Sequence, residues 1–350
     1  MVIKIAGTGR AVPSTRVSNK ELAEQIDTSD EWIRSHTGIG ARHIAPETIS
    51  VSDLAVEAAR GALKLAVERA EVGETDPEKL AETLDFIVLG TTTQDYYGCP
   101  PTCCLVQHQL GAKKAAAMDL AAACSSFIYS IETAAALLLA DPRRKRALVI
   151  GAETLSRITN WNDRGTCVLF GDGAGAVFLE KQDGKQEEPG EAVSSGRRGL
   201  LRTILGADGS GWENLIIRRG GSRNPWKPGE TVDIPPHVEM NGHAVYNFAV
   251  KVITETIEQF MEEESLTIHD IARIIPHQAN ARIIQAAGKR LKIPEEKFYL
   301  NMEEYANTSS ASIPIALDEL NRSGQLRRGD LIITVGFGGG LTYGGNLIRW

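Results

Sequence analysis

The sequence of 350 residues is short of long hydrophobic runs and of cysteine, and each shortage excludes a class of protein. Its most apolar stretch, residues 134–140, is far below the 18 or more residues that a membrane helix needs. Residues 1–7 lack a basic stretch followed by a long apolar block, so we expect no export signal. Five cysteines, an odd and small number, argue against a disulfide framework and indicate a reducing cytoplasm.

Positive charge is also in short supply, because 38 lysine and arginine residues stand against 45 aspartate and glutamate residues, a net charge of −7. Binding to duplex nucleic acid needs a basic face, so this balance argues against nucleic acid as a general partner. The sequence also lacks a Walker A loop, an H-E-x-x-H motif and paired C-x-x-C motifs. Phosphate-loop enzymes and zinc-dependent proteins therefore have no support in the sequence.

What the sequence does contain is an ordinary globular composition, 42% hydrophobic and 24% charged, with a high content of 34 glycines. Patterns typical of buried strands alternate with helical patterns, which favours a mostly parallel α/β sheet covered on both faces. The predicted strands are residues 85–90, 115–120, 146–151, 271–276, 298–300 and 331–336. The predicted helices are residues 100–110, 125–140, 243–264, 279–291 and 312–322.

The two halves of the chain end alike, which indicates a weak internal duplication. Residues 170–179 form a glycine-rich turn that enters a strand, and residues 336–350 repeat this arrangement. We therefore predict an N-terminal half, residues 1–180, and a C-terminal half, residues 181–350. Between them, the charged residues 181–198 contain glycine and proline and are predicted to form an exposed loop.

Cys124 is the first candidate for chemistry. It follows a predicted strand and three alanines and precedes two serines that open a helix. A cysteine at the N-terminus of a helix meets the positive end of the helix dipole and free backbone N–H groups, which favour the nucleophilic thiolate. Position alone leaves open that Cys124 is a buried structural cysteine.

His277 and Asn307 occupy equivalent junctions in the second half. His277 ends a predicted strand, where open α/β sheets place ligands, although a structural imidazole is equally compatible with the position. Asn307 precedes a helix, and an ordinary N-cap is the simplest interpretation of it alone. Together with Cys124, the three side chains are expected to converge on one rim.

Two other interpretations fail on local sequence. Papain-like proteases also use Cys, His and Asn, but they need C-G-[SA]-C-[WY], which Cys124 does not have around it. Residues 171–175 are glycine-rich like a dinucleotide loop, but they precede a strand and do not open a helix.

The motifs resemble those of the β-ketoacyl-acyl carrier protein synthase III family, and the resemblance covers essentially the whole chain. Besides the Cys124 segment, they are D-E-W-I (30–33), T-G-I (37–39), D-R-G-T (163–166), F-G-D-G-A-G (170–175), P-H-Q-A-N (276–280), N-T-S-S-A-S (307–312) and G-F-G-G-G (336–340). The resemblance implies a thiolase-like, five-layer αβαβα fold made of two duplicated halves, assembled as a homodimer. It also implies the condensing enzyme that initiates type II fatty acid synthesis in the cytoplasm.

The same resemblance implies a mechanism. Cys124 would take the acyl group of an acyl-CoA primer, with the backbone N–H groups of Cys124 and Gly339 as the oxyanion hole. His277 and Asn307 would stabilise the enolate that forms as malonyl-acyl carrier protein loses CO₂. Neither a metal nor a redox cofactor is expected.

Substrate-binding positions carry over by resemblance. Trp32 would stack on the CoA adenine, or else serve as a partly buried anchor, and the remaining expected CoA contacts are Thr28, Arg164, Gly165, Gly242 and Asn280. The residues Arg282, Lys289 and Arg290 would bind the acidic carrier protein, although they also fit a solvated helix face. The sequence departs from the family where His36 replaces a common arginine and Asn247 a common lysine.

Cys99 bears on the choice of primer. In the family, the residue before Pro100 reaches from the partner subunit towards the acyl pocket and is a bulky aromatic in some members. A cysteine there predicts a roomier pocket that accepts primers longer than acetyl, or branched ones. Two other functions stay open: a secondary-metabolite ketosynthase or acyltransferase of the same fold, and a non-catalytic dimeric binding partner.

Overall fold

A computed structural model describes residues 2–182, 196–227, 229 and 236–350. The strands are β1 (Val2–Ala11), β2 (Arg16–Ser18), β3 (Ala41–His43), β4 (Phe86–Gly90), β5 (Ala116–Leu120), β6 (Arg146–Thr154), β7 (Asp172–Gln182), β8 (Gly199–Ala207), β9 (Leu215–Ile217), β10 (Val238–Met240), β11 (Ile271–Pro276), β12 (Leu331–Gly338) and β13 (Thr342–Arg349). Most predicted strands are therefore present, with ends shifted by a few residues.

The helices are α1 (Asn19–Ala23), α2 (Asp30–Thr37), α3 (Val51–Glu68), α4 (Pro77–Glu82), α5 (Thr102–Gln109), α6 (Ser126–Leu139), α7 (Arg164–Cys167), α8 (Gly242–Glu263), α9 (Ala281–Leu291), α10 (Met302–Tyr305) and α11 (Ser312–Arg322). Short 3₁₀ turns lie at Ala123–Ser125, Leu155–Ile158, Gly209–Asn214, Glu295–Lys297 and Ser309–Ala311. In the described ranges, no helix combines the length and the apolar character that crossing a bilayer requires.

Two sheets form the frame of the molecule. The first has the strand order β1-β7-β6-β4-β5, and the second has the order β11-β12-β13-β8. In the first sheet β4 pairs in parallel with β5 and β6, whereas β7 pairs antiparallel with β6 and β1. In the second sheet β11 and β12 are parallel, and β13 is antiparallel to both β12 and β8.

The prediction of a mostly parallel sheet is therefore wrong, because four of these seven strand pairs are antiparallel, and a short connection explains one of the four. Parallel neighbours need a crossover of a dozen or more residues, usually a helix, whereas antiparallel neighbours need only a tight turn. Only residues 339–341 join β12 to β13, so these strands form a hairpin. The connection from β6 to β7, residues 155–171, is long enough for a crossover, yet β7 pairs antiparallel with β6.

Helices separate the sheets into five layers. Helices α3 and α5 cover the outer face of the first sheet, α6 and α11 lie between the sheets, and α8 and α9 cover the outer face of the second. Successive residues of β6 illustrate the pattern: Leu148 and Ile150 face α3, whereas Ala147 and Val149 face the middle layer. Both faces of the strand are apolar because both are covered. The predicted five-layer αβαβα fold is confirmed.

Two smaller predictions differ from the structure. Residues 298–300 form no strand, because Phe298 makes a single bridge with Ile274 directly after the turn at Glu295–Lys297. The predicted loop at 181–198 falls mainly on residues 183–195, which lie outside the described residues, and its first two residues extend β7. The division of the chain into halves at residue 180 stays a prediction.

Candidate active site

Cys124 lies in the 3₁₀ turn Ala123–Ser125, between the end of β5 and the start of α6. Ala123 has a φ of 48°, a left-handed conformation that is strained for a residue with a side chain. Side chains hold this turn in place. The Ser126 hydroxyl accepts from the backbone N–H of Ala122 (2.8 Å), and the hydroxyls of Ser125 and Thr342 both reach the carbonyl oxygen of Ala122 (2.8 and 2.9 Å).

The second sheet approaches Cys124 through a glycine. A Cβ atom added to Gly338 would lie 2.6 Å from the backbone nitrogen of Cys124, so only glycine permits this contact. Residues 338–340 are three consecutive glycines, and the sequence does not indicate which of them contacts the backbone of Cys124. Gly339, the predicted oxyanion residue, borders Cys124 in an adjoining cavity, and its role as a donor stays a prediction.

One cavity of about 210 Å³ brings the three candidate residues together. Cys124, His277 and Asn307 all line it, as the predicted convergence on one rim requires. Much of the remaining wall is apolar, and the lining includes Val168, Leu169, Phe170, Met240 and Phe337. Such a wall excludes water around a few convergent polar groups, which is typical of a ligand site.

The surroundings of Cys124 act on the acidity of its thiol in opposite directions. Burial raises the pKa of Cys124 to about 12, although the neighbouring Ser309 hydroxyl acts in the opposite direction. Desolvation disfavours the thiolate and so opposes the helix N-terminus, which favours it. The role of Cys124 as the nucleophile stays a prediction.

His277 is a neutral hydrogen-bond donor in this site. Burial lowers the pKa of His277 to about 3, so the imidazole is uncharged at neutral pH. Its Nδ1 atom lies 2.7 Å from the hydroxyl oxygen of Ser312, which also accepts from the backbone N–H of Gln278 (3.4 Å). We assign the ring proton to Nε2, the tautomer in which the Ser312 hydroxyl donates to Nδ1.

Asn307 precedes the 3₁₀ turn Ser309–Ala311, whose N-cap residue is Thr308, and its catalytic role stays a prediction. Its side-chain oxygen Oδ1 accepts from the backbone N–H of Ser309 (2.8 Å), the first residue of that turn. This bond occupies the oxygen and leaves the Nδ2 amide as a donor. The backbone of Asn307 is fixed by hydrogen bonds with Leu169 and Gly171 (2.9 and 3.0 Å), which join the loop to the first half of the chain.

An aromatic and basic cluster borders the same cavity. Trp32 lines it and is stacked on the ring of His36 at 4.4 Å between ring centres. The guanidinium carbon of Arg164 lies 4.1 Å from the Trp32 ring centre. Trp32 also packs on the core of the second sheet, as the interpretation of Trp32 as a partly buried anchor predicts. Its stacking on the CoA adenine stays a prediction. The hydroxyl of Thr28 is buried without a hydrogen-bond partner among the described residues, and Thr28 lines neither cavity of the site.

Three other residues predicted to contact CoA also line the first cavity: Gly165, Gly242 and Asn280. Gly165 lies in α7, Gly242 begins α8, and Asn280 caps α9. The Asn280 side chain accepts from the N–H of Arg282 (2.9 Å) and donates to the carbonyl of His36 (3.1 Å). It therefore ties α9 to α2, a structural role that its sequence did not reveal.

The predicted basic patch lies on the outside of α9. Arg282, Lys289 and Arg290 are exposed, and Arg282 also donates to the carbonyl oxygen of Ser35 (2.8 Å). Nearby on α8, Asn247 hydrogen-bonds His243 (3.1 Å). The binding of a carrier protein by this patch stays a prediction.

A second cavity, of about 320 Å³, borders Cys124, and the sequence did not identify the residues that line it. Its lining is mainly apolar, with Leu155, Ile158, Ile217 and Val238 among the residues that surround it. Ser309 and Gly339 adjoin Cys124 in this lining. Cys99 is exposed and lines neither cavity within its own chain.

Known proteins share both the sequence and this architecture. Residues 118–196 match the family model 3-oxoacyl-[acyl-carrier-protein] synthase III, and residues 261–350 match the model of its C-terminal part. A β-ketoacyl-[acyl-carrier-protein] synthase III of Desulfitobacterium hafniense is 45% identical over 349 residues, covering 99% of this chain and 98% of that protein. The chain belongs to the β-ketoacyl-[acyl-carrier-protein] synthase III family.

Solved structures agree with this membership. The 3-oxoacyl-[acyl-carrier-protein] synthase III of Aquifex aeolicus superimposes with a TM-score of 0.85 at 39% identity, covering 99% of this chain and all of that one (100%). A synthase III of Clostridium perfringens is 45% identical over 346 residues, which are 99% of this chain and 98% of that protein. These relatives confirm the predicted class of enzyme, an acyl-transferring condensing enzyme that initiates fatty acid synthesis.

Proposed function

We propose that the chain joins an acyl-CoA primer to malonyl-acyl carrier protein by a decarboxylative Claisen condensation. The products are 3-oxoacyl-acyl carrier protein, CO₂ and CoA. One observation carries this proposal: a single sulfur, Cys124, borders two cavities, one that also holds His277 and Asn307 and one that is mainly apolar. The first cavity suits the carrier arm of either substrate, and the second suits a hydrocarbon chain.

In the first half-reaction, the Cys124 sulfur attacks the thioester carbonyl of the primer. The bond between the carbonyl carbon and the CoA sulfur breaks, and the thiol proton leaves with CoA as its free thiol. The backbone N–H groups of Cys124 and Gly339 are the proposed donors to the tetrahedral oxyanion. The acyl group remains on Cys124 and extends into the apolar cavity, so one difficult transfer is divided into two easier steps.

In the second half-reaction, malonyl-acyl carrier protein occupies the first cavity. Nε2–H of His277 and the Nδ2 amide of Asn307 donate to its thioester carbonyl, and the carbon–carbon bond to the carboxylate breaks as CO₂ leaves. The enolate carbon attacks the acyl-cysteine carbonyl, and the Cys124 sulfur is released and regains a proton. The neutral imidazole can fill this role because one of its ring nitrogens still carries a proton to donate.

Binding of the two carriers completes the proposal. Trp32, Arg164 and Thr28 are assigned to the CoA nucleotide, and Gly165, Gly242 and Asn280 to the pantetheine arm. His36, stacked on Trp32, replaces the usual arginine. The acidic carrier protein is assigned to Arg282, Lys289 and Arg290. The proposed chemistry uses no metal or redox cofactor, and we propose a cytoplasmic homodimer.

Replacing Ser312 by alanine is expected to slow decarboxylation of malonyl-acyl carrier protein by roughly 5- to 10-fold, the value of one hydrogen bond of about 1–1.5 kcal/mol. Without the hydroxyl, nothing fixes the imidazole proton on Nε2. Radioactive CO₂ release measures this step, and Ser312→Thr, which keeps a hydroxyl, is the matched control. Equal rates for alanine and threonine variants would show that Ser312 does not orient His277.

The size of the second cavity and the small side chain of Cys99 predict primers longer than acetyl, or branched ones. Incubation with a panel of acyl-CoAs, followed by mass spectrometry of the intact protein, is expected to show four- to six-carbon adducts on Cys124 and turnover to 3-oxoacyl products. Ile217→Phe, which narrows this cavity, should lose the longer primers and keep acetyl-CoA. Leu205→Phe is the control, because Leu205 is 41% exposed and lines neither cavity.

Turnover with acetyl-CoA alone by the unmodified enzyme would contradict this primer range, whatever the variants do. It would leave the condensation itself in place, since an acetyl adduct on Cys124 is also the predicted intermediate. The panel therefore separates the question of primer length from the question of reaction type.

A second candidate function is a priming ketosynthase of secondary metabolism. It has one specific observation in its favour: a priming β-ketosynthase from the R1128 polyketide biosynthetic pathway is 31% identical, with a TM-score of 0.84, covering 99% of this chain and 96% of that one. The two functions differ in their acceptor. Formation of a 3-oxoacyl product with the malonyl carrier protein of fatty acid synthesis favours the first, and its absence despite an acyl adduct favours the second.

A further inference from the structure

We infer that Glu153 is a positioning residue, whose buried carboxyl group holds the loop that carries Asn307 against the strand end behind Cys124. The inference rests on the function proposed above. Glu153 lies one residue before the end of β6 and is fully buried, so its side chain touches neither solvent nor, in the proposed mechanism, a reacting atom. A buried carboxyl group is costly unless it is hydrogen-bonded, which makes its partners informative.

Three consecutive threonines at the end of β4 surround this carboxyl group. Oxygen Oε2 accepts from the backbone N–H and the hydroxyl of Thr92 (both 3.0 Å) and from the hydroxyl of Thr93 (2.6 Å). The Thr91 hydroxyl lies further away, at 3.3 Å. Thr91 and Thr92 line the apolar cavity beside Cys124, so Glu153 supports the wall of that cavity from behind.

The other oxygen of the carboxyl group reaches the second half of the chain. Oε1 lies 2.9 Å from the hydroxyl of Ser310, in the 3₁₀ turn that follows Asn307. The backbones are also in contact there, since a Cβ atom on Gly151 of the same strand would lie 2.2 Å from the carbonyl oxygen of Ser310. Glu153 therefore bridges the two halves at the loop that supplies the decarboxylation donors.

Counting protons shows in which form the carboxyl group makes this bridge. The Ser310 hydroxyl also lies 2.8 Å from the carbonyl oxygen of Gly90, which can only accept. A hydroxyl has a single proton, and the Ser310 hydroxyl lies within hydrogen-bond distance of two acceptors, the Gly90 carbonyl oxygen and Glu153 Oε1. Both contacts are hydrogen bonds when Glu153 carries a proton and donates it to Ser310, and burial favours this form by raising the pKa of Glu153. We assign the neutral carboxylic acid to the bridge.

The loop beyond Ser310 explains which half-reaction depends on this bridge. Asn307 precedes Ser310 and bonds the backbone of Ser309, and Ser312 follows it and orients His277. A shift of this turn moves both proposed enolate donors. The Cys124 turn has its own supports in Ser125, Ser126 and Thr342 and keeps its place. Loss of the bridge is thus expected to slow decarboxylation more than acylation of Cys124.

Three variants test this split. Glu153→Ala and Ser310→Ala remove the bridge from opposite sides, and each is expected to lower the kcat of malonyl decarboxylation by roughly 10- to 100-fold, as small misplacements of catalytic groups do. Acylation of Cys124 by acyl-CoA, followed by intact mass, should stay within about 3-fold of wild type. Glu153→Gln supplies an amide donor for Ser310 and an acceptor for the threonines, so both rates should be close to those of the wild-type enzyme.

Asp318→Asn is the control for loss of stability alone. Asp318 is also fully buried, but it bonds Thr8 and Arg322 and lines neither cavity. Its folded fraction should perform both half-reactions normally. Equal slowing of both half-reactions in the Glu153 and Ser310 alanine variants, or a decarboxylation defect in Glu153→Gln that matches them, would overturn the inference. A wild-type enzyme that forms no acyl adduct would instead refute the proposed function, so the two failures are distinct.

Discussion

Replacing Cys124 by alanine is expected to abolish acyl transfer, with a loss of roughly 10⁴-fold or more in 3-oxoacyl product formation, because removal of a covalent nucleophile has that size elsewhere. No acyl adduct should appear on the intact protein after incubation with acyl-CoA. The same variant should still release CO₂ from malonyl-acyl carrier protein, since His277 and Asn307 remain in the first cavity. Mass spectrometry and CO₂ release measure the two results separately.

Cys104→Ser is the matched control for Cys124, because Cys104 is exposed and lines neither cavity. It should form the adduct and the product at wild-type rates. An adduct that persists in Cys124→Ala would place the acyl group on another residue and contradict the mechanism. Full biological function of a Cys124→Ser variant would instead revive the non-catalytic binding partner as an explanation.

The chemistry of the site could be predicted from the sequence to the extent that it depends on local order. Cys124 and His277 each follow a strand, and such junctions meet at one edge of a sheet. The partners that orient these groups lie far away in sequence, and no local pattern marks them. Thr342, which holds the Cys124 turn, is 220 residues from Ala122, and Ser312 is 35 residues from His277.

The errors in the fold have a similar origin. All predicted strands but residues 298–300 are present in the structure. A buried strand is apolar whether its neighbours run parallel or antiparallel, so hydropathy does not give the direction of pairing. The second cavity is formed by residues from several distant elements, among them Leu155, Ile217 and Val238. Burial in that apolar enclosure raises the pKa of Cys124, an effect that the position at a helix N-terminus does not reveal.

Removing the amide donor of Asn307 is expected to give the second large effect, a loss of roughly 10²–10³-fold in condensation, the usual cost of an oxyanion donor. Asn307→Asp is the sharpest variant. Its carboxylate keeps an oxygen that accepts from the N–H of Ser309, but it has no N–H to offer the enolate. Its negative charge also opposes the charge that develops on the thioester oxygen.

Acylation of Cys124 is the internal control for this variant, because the first half-reaction does not use the Asn307 amide. The acyl adduct should therefore form normally and then accumulate, since the step that removes it has slowed. Asn346→Ala, which alters an equally buried asparagine that bonds Thr203 and Thr334, should show neither effect. If Asn307→Asp condensed at the wild-type rate, the Asn307 amide would not be needed as a donor to the enolate. His277 would then supply the hydrogen bond alone. Slow acylation instead would mean that Asn307 acts on the sulfur, so accumulation or absence of the adduct decides which half-reaction this side chain serves.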